Sequence, residues 1–414
     1  LPPLVFKGQS THPPTPIIGG SGGIQFTVHA YSHYFQQGRT FKSHIQTYCS
    51  QSITLNDLLL PYYCTDDGRT VYDEFWSAMR EAYPHYEDEL RGIADSSGVD
   101  YHKLFLMHIS AEMLGLLGKQ ANTGCSDVML NYIDCDGKQC SLAAHNEDGD
   151  KLIASLAYVV HAHIKPDRNL YPYLPEERFT SYTYPGRLMG NCMSANCHGV
   201  TWSINILFPK RVARKKTAIY TITRALAPAR SLEHAQSILA DDPLGCAYGL
   251  SVNLAQMQRN PGEILMMNIE VAPRTDVLPL APHVRILPVS ADLVHGLAAH
   301  FNVYQRLTEV EQHTDRSSMQ RERTLRDKGD LPKDAPSLLA YLGNREHPVY
   351  PVYRNGTPPD TMATIATGIF DLLEGTFDIF VDNPQHCAGP VVSFPIMQRP
   401  QPSPVSTESI KGDK

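Results

Sequence analysis

The stretch "ANTGCSDVMLNYI", residues 121–133, changes the character of the chain within one dipeptide. Upstream the apolar residues recur at helical spacing. From Ser126 the pattern is that of a strand, "DCDG" at 134–137 supplies turn residues, and "KQCSLAAH" runs back as a second strand into "HNEDGD". A hairpin is therefore predicted, with Cys125 at the outer end of its first strand and the polar run 145–150 returning toward it. A cysteine can be core filler, disulfide partner, metal ligand or nucleophile. Filler belongs in the middle of an apolar strand face, whereas Cys125 opens its strand directly behind Asn-Thr-Gly.

Breaking the Gly124–Cys125 bond would make Cys125 an N-terminal residue with a free α-amine beside its thiol. An α-amine titrates at about 7.7–8.0, where a general base is most effective. A thiol near about 8.5 needs only modest help to become the attacking thiolate. One residue would then supply both nucleophile and base. Such a site also needs donors for a tetrahedral oxyanion and a polar group that holds the amine. "AHNED" at 144–148 could deliver Asn146 and Asp148 to the same rim, and "HFN" at 300–302 brings a second amide, Asn302, from far along the chain. The same thiol attacking the Gly124 carbonyl would explain self-cleavage, with a strained turn favouring glycine there.

Outward from the hairpin, "YPHYEDELRGIADSSG" predicts a helix with Pro84 in its first turn and a Ser-Ser-Gly stop. Asp100 is a candidate N-cap for one continuous helix through "YHKLFLMHISAEMLGLLG", ended by Gly118. Beyond the hairpin, "RLMGNCMSANCHGVTWSINIL" and "ILMMNIEVA" are strand-rich. "TAIYTITRAL" and "LEHAQSIL" are helical, and "TIATGIFDLLEGTFDIFVDN" predicts a hairpin about Glu374-Gly375. Strands in both halves with helices between them predict one mixed body over 24–397, with sheets packed between helical layers. Residues 1–23 are expected to form a flexible arm and 398–414 a disordered polar tail.

With 414 residues, 42% of them hydrophobic, the chain can bury a large core. A net charge of -7 lacks the basic field of a nucleic-acid binder. No run of about 18 apolar residues is present to span a bilayer. Nine widely spaced cysteines and the absence of an apolar leader core point to a reducing, cytoplasmic setting. The sequon at Asn355 precedes Pro358 and is taken as chance.

The segments "GRTF" (38–41), "YEDELRGIADSSGVDYHKLFL" (86–106), "TGCS" (123–126), "HNED" (145–148), "GVTWSIN" (199–205), "TRAL" (223–226), "NIEVAP" (268–273), "HFN" (300–302) and "GIFDL" (368–372) lie in one order along nearly the whole chain. Together they resemble the N-terminal-nucleophile hydrolases related to fungal acyl-coenzyme A:isopenicillin N acyltransferase, and more closely the Tan-type β-alanyl-dopamine hydrolases of arthropods. The resemblance implies an α+β fold, an αββα sandwich of two antiparallel sheets. It also implies a precursor that cuts itself into 1–124 and 125–414, which stay associated and assemble as a dimer of heterodimers.

Residue by residue, it makes Cys125 the nucleophile and α-amine base, Gly124 the residue before the scissile bond, Asp148 the nearby aspartate and Asn302 an oxyanion donor. Glu270 matches a glutamate that is structural or substrate-binding. The expected substrate is a small N-acyl amine carrying β-alanine, whose ammonium would find Glu147, Asp148 or Glu270, with Asn146 and His300 as further substrate contacts. No metal or cofactor is implied, nor a nucleic acid or membrane partner. One departure stands out: the arginine that the acyltransferase carries before its last hairpin would fall near Thr361, which argues for amide hydrolysis over acyl transfer.

Three signals fall outside that pattern. Cys135 with Cys140, and Cys192 with Cys197 beside His198, share a C-x4-C spacing that is looser than structural zinc sites use. His161 and His163 alternate as on one strand face. "PKRVARKK" at 209–216 is a solvated loop or a phosphate-binding patch for an acyl-coenzyme A donor, and "DRSSMQRERTLRDKGD" suits an exposed helix and loop. The functions to separate are thus an autoprocessed amide hydrolase, an acyltransferase on the same fold, and a zinc-containing or purely structural binding protein.

Overall fold

The computed structural model describes residues 17–18, 25–26, 35–121, 123–240, 243–257, 266–275, 283–287, 295–327, 331–358 and 360–396. Its strands are β1 (Ile17–Ile18), β2 (Gln25–Phe26), β3 (Gly124–Ile133), β4 (Gln139–Gly149), β5 (Tyr158–Ile164), β6 (Glu177–Thr183), β7 (Met193–Asn196) and β8 (Val200–Leu207). They continue with β9 (Gly249–Gln256), β10 (Met266–Val271), β11 (His283–Leu287), β12 (His295–His300), β13 (Ala363–Asp371), β14 (Thr376–Phe380) and β15 (Val392–Pro395). They form a nine-stranded sheet, β1-β2-β5-β6-β7-β8-β9-β10-β11, and a six-stranded sheet, β12-β3-β4-β13-β14-β15. All pairings are antiparallel except β2 with β5. The arrangement is the α+β sandwich expected. Ile17–Ile18 pair with Gln25–Phe26, so the stretch expected to be an arm contributes a short edge strand. The rest of 1–23 and the tail 398–414 lie outside the described residues.

The hairpin forms as the sequence predicts. Cys125 stands opposite Glu147 and Gly124 opposite Asp148, and Gly137, at φ 78, takes the left-handed position of the turn. Side chains alternate across a strand, so this register sorts the hairpin into two faces. Odd positions, Cys125, Asp127, Met129, Ala143, His145 and Glu147, face the nine-stranded sheet. Even positions, Val128, Leu130, Tyr132, Leu142 and Ala144, join an apolar cluster with Leu325, Leu338 and Leu342 from the helices at Arg316–Asp327 and Ala335–Leu342.

The nine-stranded sheet has the same two-sidedness. Val200, Trp202, Ile204, Val252, Leu254 and Ile269 belong to a large core shared with the helices of the first third and with Ile219–Arg224. Each such buried side chain stabilises the fold by about 1.5–3 kcal/mol. Ser203, Asn205, Ser251, Asn253, Asn268 and Glu270 alternate with them and point the other way, so the layer between the sheets is polar. The site lies in that layer.

Two local expectations are corrected. The helix at 101–118 breaks at Ile109, whose backbone (φ -103, ψ 21) leaves the helical region, giving Tyr101–His108 and Ser110–Leu116. Asp100 sits at the N-cap position, but its carboxylate pairs with Lys103 at 2.9 Å instead of capping the backbone.

Candidate active site

Cys125 is buried at the mouth of β3 with its thiol in the polar layer. Its Sγ lies 3.9 Å from Glu147 Oε2. That carboxylate is shared: the Cys192 thiol donates to Oε2 at 2.9 Å, His145 Nε2 lies 2.8 Å from it, and the Tyr184 hydroxyl donates to Oε1. His145 Nδ1 sits 2.9 Å from Asp127 Oδ2, which also accepts from Asn205 Nδ2 at 2.6 Å, while Ser203 donates to the other oxygen. Asn253 and Asn268 extend the chain across the opposite sheet. Burial opposes a charge on His145, but the flanking Asp127 and Glu147 carboxylates override it and raise the imidazole to about 10. Burial above all, then Glu147, Asp127 and Asp148, push the Cys125 thiol well above its ordinary range. The thiol of the continuous chain is therefore protonated.

The backbone of the junction faces different chemistry. Asn302 Oδ1 accepts the Cys125 N–H at 3.0 Å and Arg321 Nη2 at 2.9 Å. Arg321 Nη1 donates to the Cys125 carbonyl and, at 2.8 Å, to Ser126 Oγ. Asp148 accepts from Thr364 Oγ1 at 2.6 Å, and Arg354 Nε lies 3.3 Å from its Oδ2, an ion pair without hydrogen-bond alignment. Thr123 Oγ1 reaches the Asp148 carbonyl at 3.0 Å. Burial pushes the Asp148 carboxyl upward even though Arg354 and Arg321 pull it down.

Several assignments change in this geometry. Asn302 was expected to donate to an oxyanion. Two donors fix its carbonyl oxygen toward Cys125, and its Nδ2 is already given to the Ile206 carbonyl at 3.0 Å, so it holds the Cys125 nitrogen instead. Asn146 occupies an even position: its amide donates to the Leu342 carbonyl at 2.9 Å and accepts from Thr367, on the face away from the thiol. Glu270 and His300 bond each other at 2.9 Å, and Glu270 accepts the N–H groups of Gln305, Arg306 and Leu307. Burial resists the charge on Glu270, yet His300 and these donors hold it down at about 2. The pair clamps the loop that carries Asn302 and leaves the carboxylate no free oxygen for a ligand.

Gly124 has no left-handed backbone, and a Cβ there would meet only ordinary contacts at 3.5 Å or more, so no strained turn calls for glycine. Among the candidates for an ammonium partner, Glu147 adjoins a cavity through Tyr184, and Asp148 adjoins the same cavity through Thr123. That cavity, about 60 Å³, opens at the end of the hairpin beside Thr123, Gly149 and Asp150.

Sequence reading missed Arg321, Arg354, Asp127, His145, Tyr184 and Cys192. Arg321 comes from the helix expected to be merely exposed, whose Arg326 and Glu322 do pair at the surface. Arg354 precedes the last hairpin, so a guanidinium does reach the junction although Thr361 is not basic. Among the described residues none of the nine cysteines forms a disulfide, and the one group with metal-ligand proximity is Cys125, His145 and Glu147, where His145 spends both ring nitrogens on carboxylates. His161 bonds Thr180 and His163 bonds Glu176.

The site is thus an α+β sandwich's inner layer in which a cysteine opens a strand above an acid-histidine-acid chain. The sequence profile of the acyl-coenzyme A:6-aminopenicillanic acid acyl-transferase family matches residues 135–386, and the chain belongs to that family. The match begins beyond Cys125 and so bears on the fold and the later site residues. A β-alanyl-dopamine/carcinine hydrolase of Drosophila melanogaster is 33% identical over 378 residues, 87% of this chain and 94% of that protein.

Proposed function

We propose that this chain is an autoprocessed cysteine amidohydrolase that cuts N-β-alanyl amines, such as β-alanyl-dopamine or carcinine, into β-alanine and free amine. The observation that carries the reading is the placement of Cys125: its N–H is held by Asn302, its thiol lies beside Glu147, and its chain neighbour Gly124 lies opposite Asp148. The similarity to the fly hydrolase over most of both chains supports the substrate class.

In the precursor, Glu147 takes the thiol proton and the thiolate attacks the Gly124 carbonyl carbon. The C–N bond breaks, the Cys125 nitrogen leaves as an amine carrying that proton, and a thioester joins Gly124 to Sγ. Water hydrolyses the thioester, freeing the thiol and a Gly124 carboxylate. In the mature enzyme the α-amine, held by Asn302 Oδ1, takes the thiol proton. Sγ attacks the substrate amide, the amine departs with the proton, and water releases β-alanine from the second thioester. Before the cut there is no α-amine and the thiol is held protonated, so the precursor is inactive on substrate.

An acyltransferase would replace that water with a bound amine. Arg354 removes the argument against transfer that Thr361 offered. The basic loop at 209–216, however, spends Arg214 on Glu74 at 2.5 Å and on Asp67, which weakens it as a phosphate patch. The two cut pieces remain together, since the helices of 35–116 share one buried core with Tyr158, Trp202 and Ile222 of the other piece, and we place the enzyme in the cytoplasm, as nine cysteines without a disulfide among the described residues suit.

The test is the purified protein and its Cys125→Ala variant on a denaturing gel with intact mass. Cutting before Cys125 divides 46.1 kDa into pieces of roughly 14 and 32 kDa. The wild type yields both and the variant one full-length band without activity. An uncut, inactive wild type overturns the reading.

A further inference from the structure

The cavity beside the junction contains a buried guanidinium that forms no ion pair among the described residues. Arg187 is 7% exposed, and its Nη2 donates to Ser110 Oγ at 3.3 Å. Its Nε and Nη1 are buried without a hydrogen-bond partner. The guanidinium lies over the ring of Tyr220 at 4.3 Å and near that of Tyr184 at 5.2 Å. Among the described residues no carboxylate forms an ion pair with it. The other three fully buried arginines differ: Arg224 binds Glu89 and Glu177, Arg321 pairs with Asp315, and Arg354 pairs with Asp148 and Asp360. A buried guanidinium left unpaired is costly, and where one persists a ligand commonly completes it.

Its position gives that ligand a direction. Tyr184 faces Arg187 with its ring and gives its hydroxyl to Glu147, whose other oxygen is 3.9 Å from the Cys125 thiol. Tyr48 and Tyr220 line the same space, and Thr123, in the segment that cleavage turns into a chain end, closes it. A cavity of about 60 Å³ holds roughly two waters, so a substrate fits only once that segment shifts. Aromatic walls and a planar donor fork suit a flat ring bearing an oxygen acceptor.

We propose that Arg187 is a specificity-determining residue: its Nε and Nη1 donate to a ring oxygen, phenol or catechol, on the leaving amine, while the acyl end lies toward Glu147 and Cys125. This rests on the amide-hydrolase reading above. A site built to hydrogen-bond a substrate oxygen strongly disfavours the analogue lacking it, because its own buried donors are then left unpaired.

The experiment compares kcat/KM of the cleaved wild type, Arg187→Met and Arg187→Lys on the β-alanyl amides of dopamine, tyramine and phenethylamine. The wild type is expected to prefer the oxygenated amides by at least about tenfold. Arg187→Met loses that preference, through a fall of roughly 10–100-fold on the oxygenated amides and less than about threefold on phenethylamine. Arg187→Lys keeps the charge but loses the fork, falls in between, and gives the comparison if the Met variant does not fold. An equal loss on all three amides by a normally cleaved variant, or a wild type indifferent to the ring oxygen, overturns the proposal.

If the wild type cleaves none of the amides, the hydrolase reading is what fails. Binding of dopamine against phenethylamine by calorimetry then decides Arg187 separately: a preference abolished by Arg187→Met supports it, and equal binding overturns it.

Discussion

The two sides of the Gly124–Cys125 junction are chemical opposites. The thiol side holds Glu147, His145, Asp127 and Cys192, with one imidazolium between two carboxylates. The backbone side holds two fully buried arginines, Arg321 and Arg354, with Asp148 between strand and helix. A single strand separates them, and the pleat assigns each residue to one side or the other. On the acidic side the thiol keeps its proton, and on the cationic side the amide nitrogen and carbonyl are fixed by Asn302 and Arg321. The difference teaches that the thiol of Cys125 is kept protonated on one side of the strand while its backbone is fixed on the other.

The largest effect short of removing Cys125 is expected from breaking the acidic side at its centre. Glu147→Gln keeps an oxygen for Tyr184 but removes the proton acceptor nearest the thiol. General-base losses run to about 10²–10⁴-fold, so the variant should remain mostly uncut over the time in which the wild type is complete. A gel time course showing wild-type cutting would remove Glu147 from the mechanism. Breaking the cationic side acts on stability as well. Arg321→Met leaves the Cys125 carbonyl and Ser126 Oγ without their shared donor and takes the cation from Asp315, which keeps Ser317 and Ser318, a loss of about 3–5 kcal/mol by analogy with other severed buried pairs. The melting temperature should fall clearly, and melting like the wild type would contradict this role of Arg321.

Titration sharpens the same contrast. His145 is raised to about 10 in the fold against an ordinary 6.5, so its contribution is fully present below 6.5 and is lost as pH rises through 10. Glu270, held at about 2, contributes above its ordinary 4.5 and loses that contribution as pH falls toward 2. Denaturant unfolding should therefore show wild-type stability declining from pH 6.5 to 10 relative to His145→Gln, and declining from pH 4.5 toward 2 relative to Glu270→Gln. Parallel curves for wild type and variants would show that these groups are not charged as described.

The hairpin, the helix at Pro84–Ser97 and the last hairpin were legible because their spacing and turn residues agree with their packing. The site was half legible. Cys125, Asn302 and Asp148 came from the order of short segments, and all three meet at the junction. Asn146 failed on parity: once Cys125 stands opposite Glu147, only odd positions of the hairpin share its face, which selects His145 and Asp127 and rejects Asn146. Arg321 left no signal, because a buried arginine in a mixed-charge helix has the same local pattern as its exposed neighbours Arg323 and Arg326. Arg187 sits in "YPGRLMG", where no periodicity applies, and its surroundings come from Tyr48 and Tyr220, both distant in the sequence, as well as from its near neighbour Tyr184.

Gly124 offers the smallest effect and the finest test. Sequence alone suggests that a glycine before a scissile bond serves a strained turn, which would make any Cβ damaging. In the structure Gly124 is the first residue of an ordinary strand, and an added Cβ would sit 3.5 Å from Asn302 Oδ1 and from Asp148 Oδ2 and 3.7 Å from Arg321 Nη2. Those are contact distances without overlap, so Gly124→Ala should fold as the wild type does and melt within about 1 kcal/mol of it, the range of surface-like changes without a named defect. Cutting should slow by a few-fold at most, from a methyl crowding the attacked carbonyl. If Gly124→Ala instead fails to cut while folding normally, the attacked state must differ from the resting strand by a backbone rotation that only glycine tolerates. The cationic side would then be a frame that rearranges during the reaction.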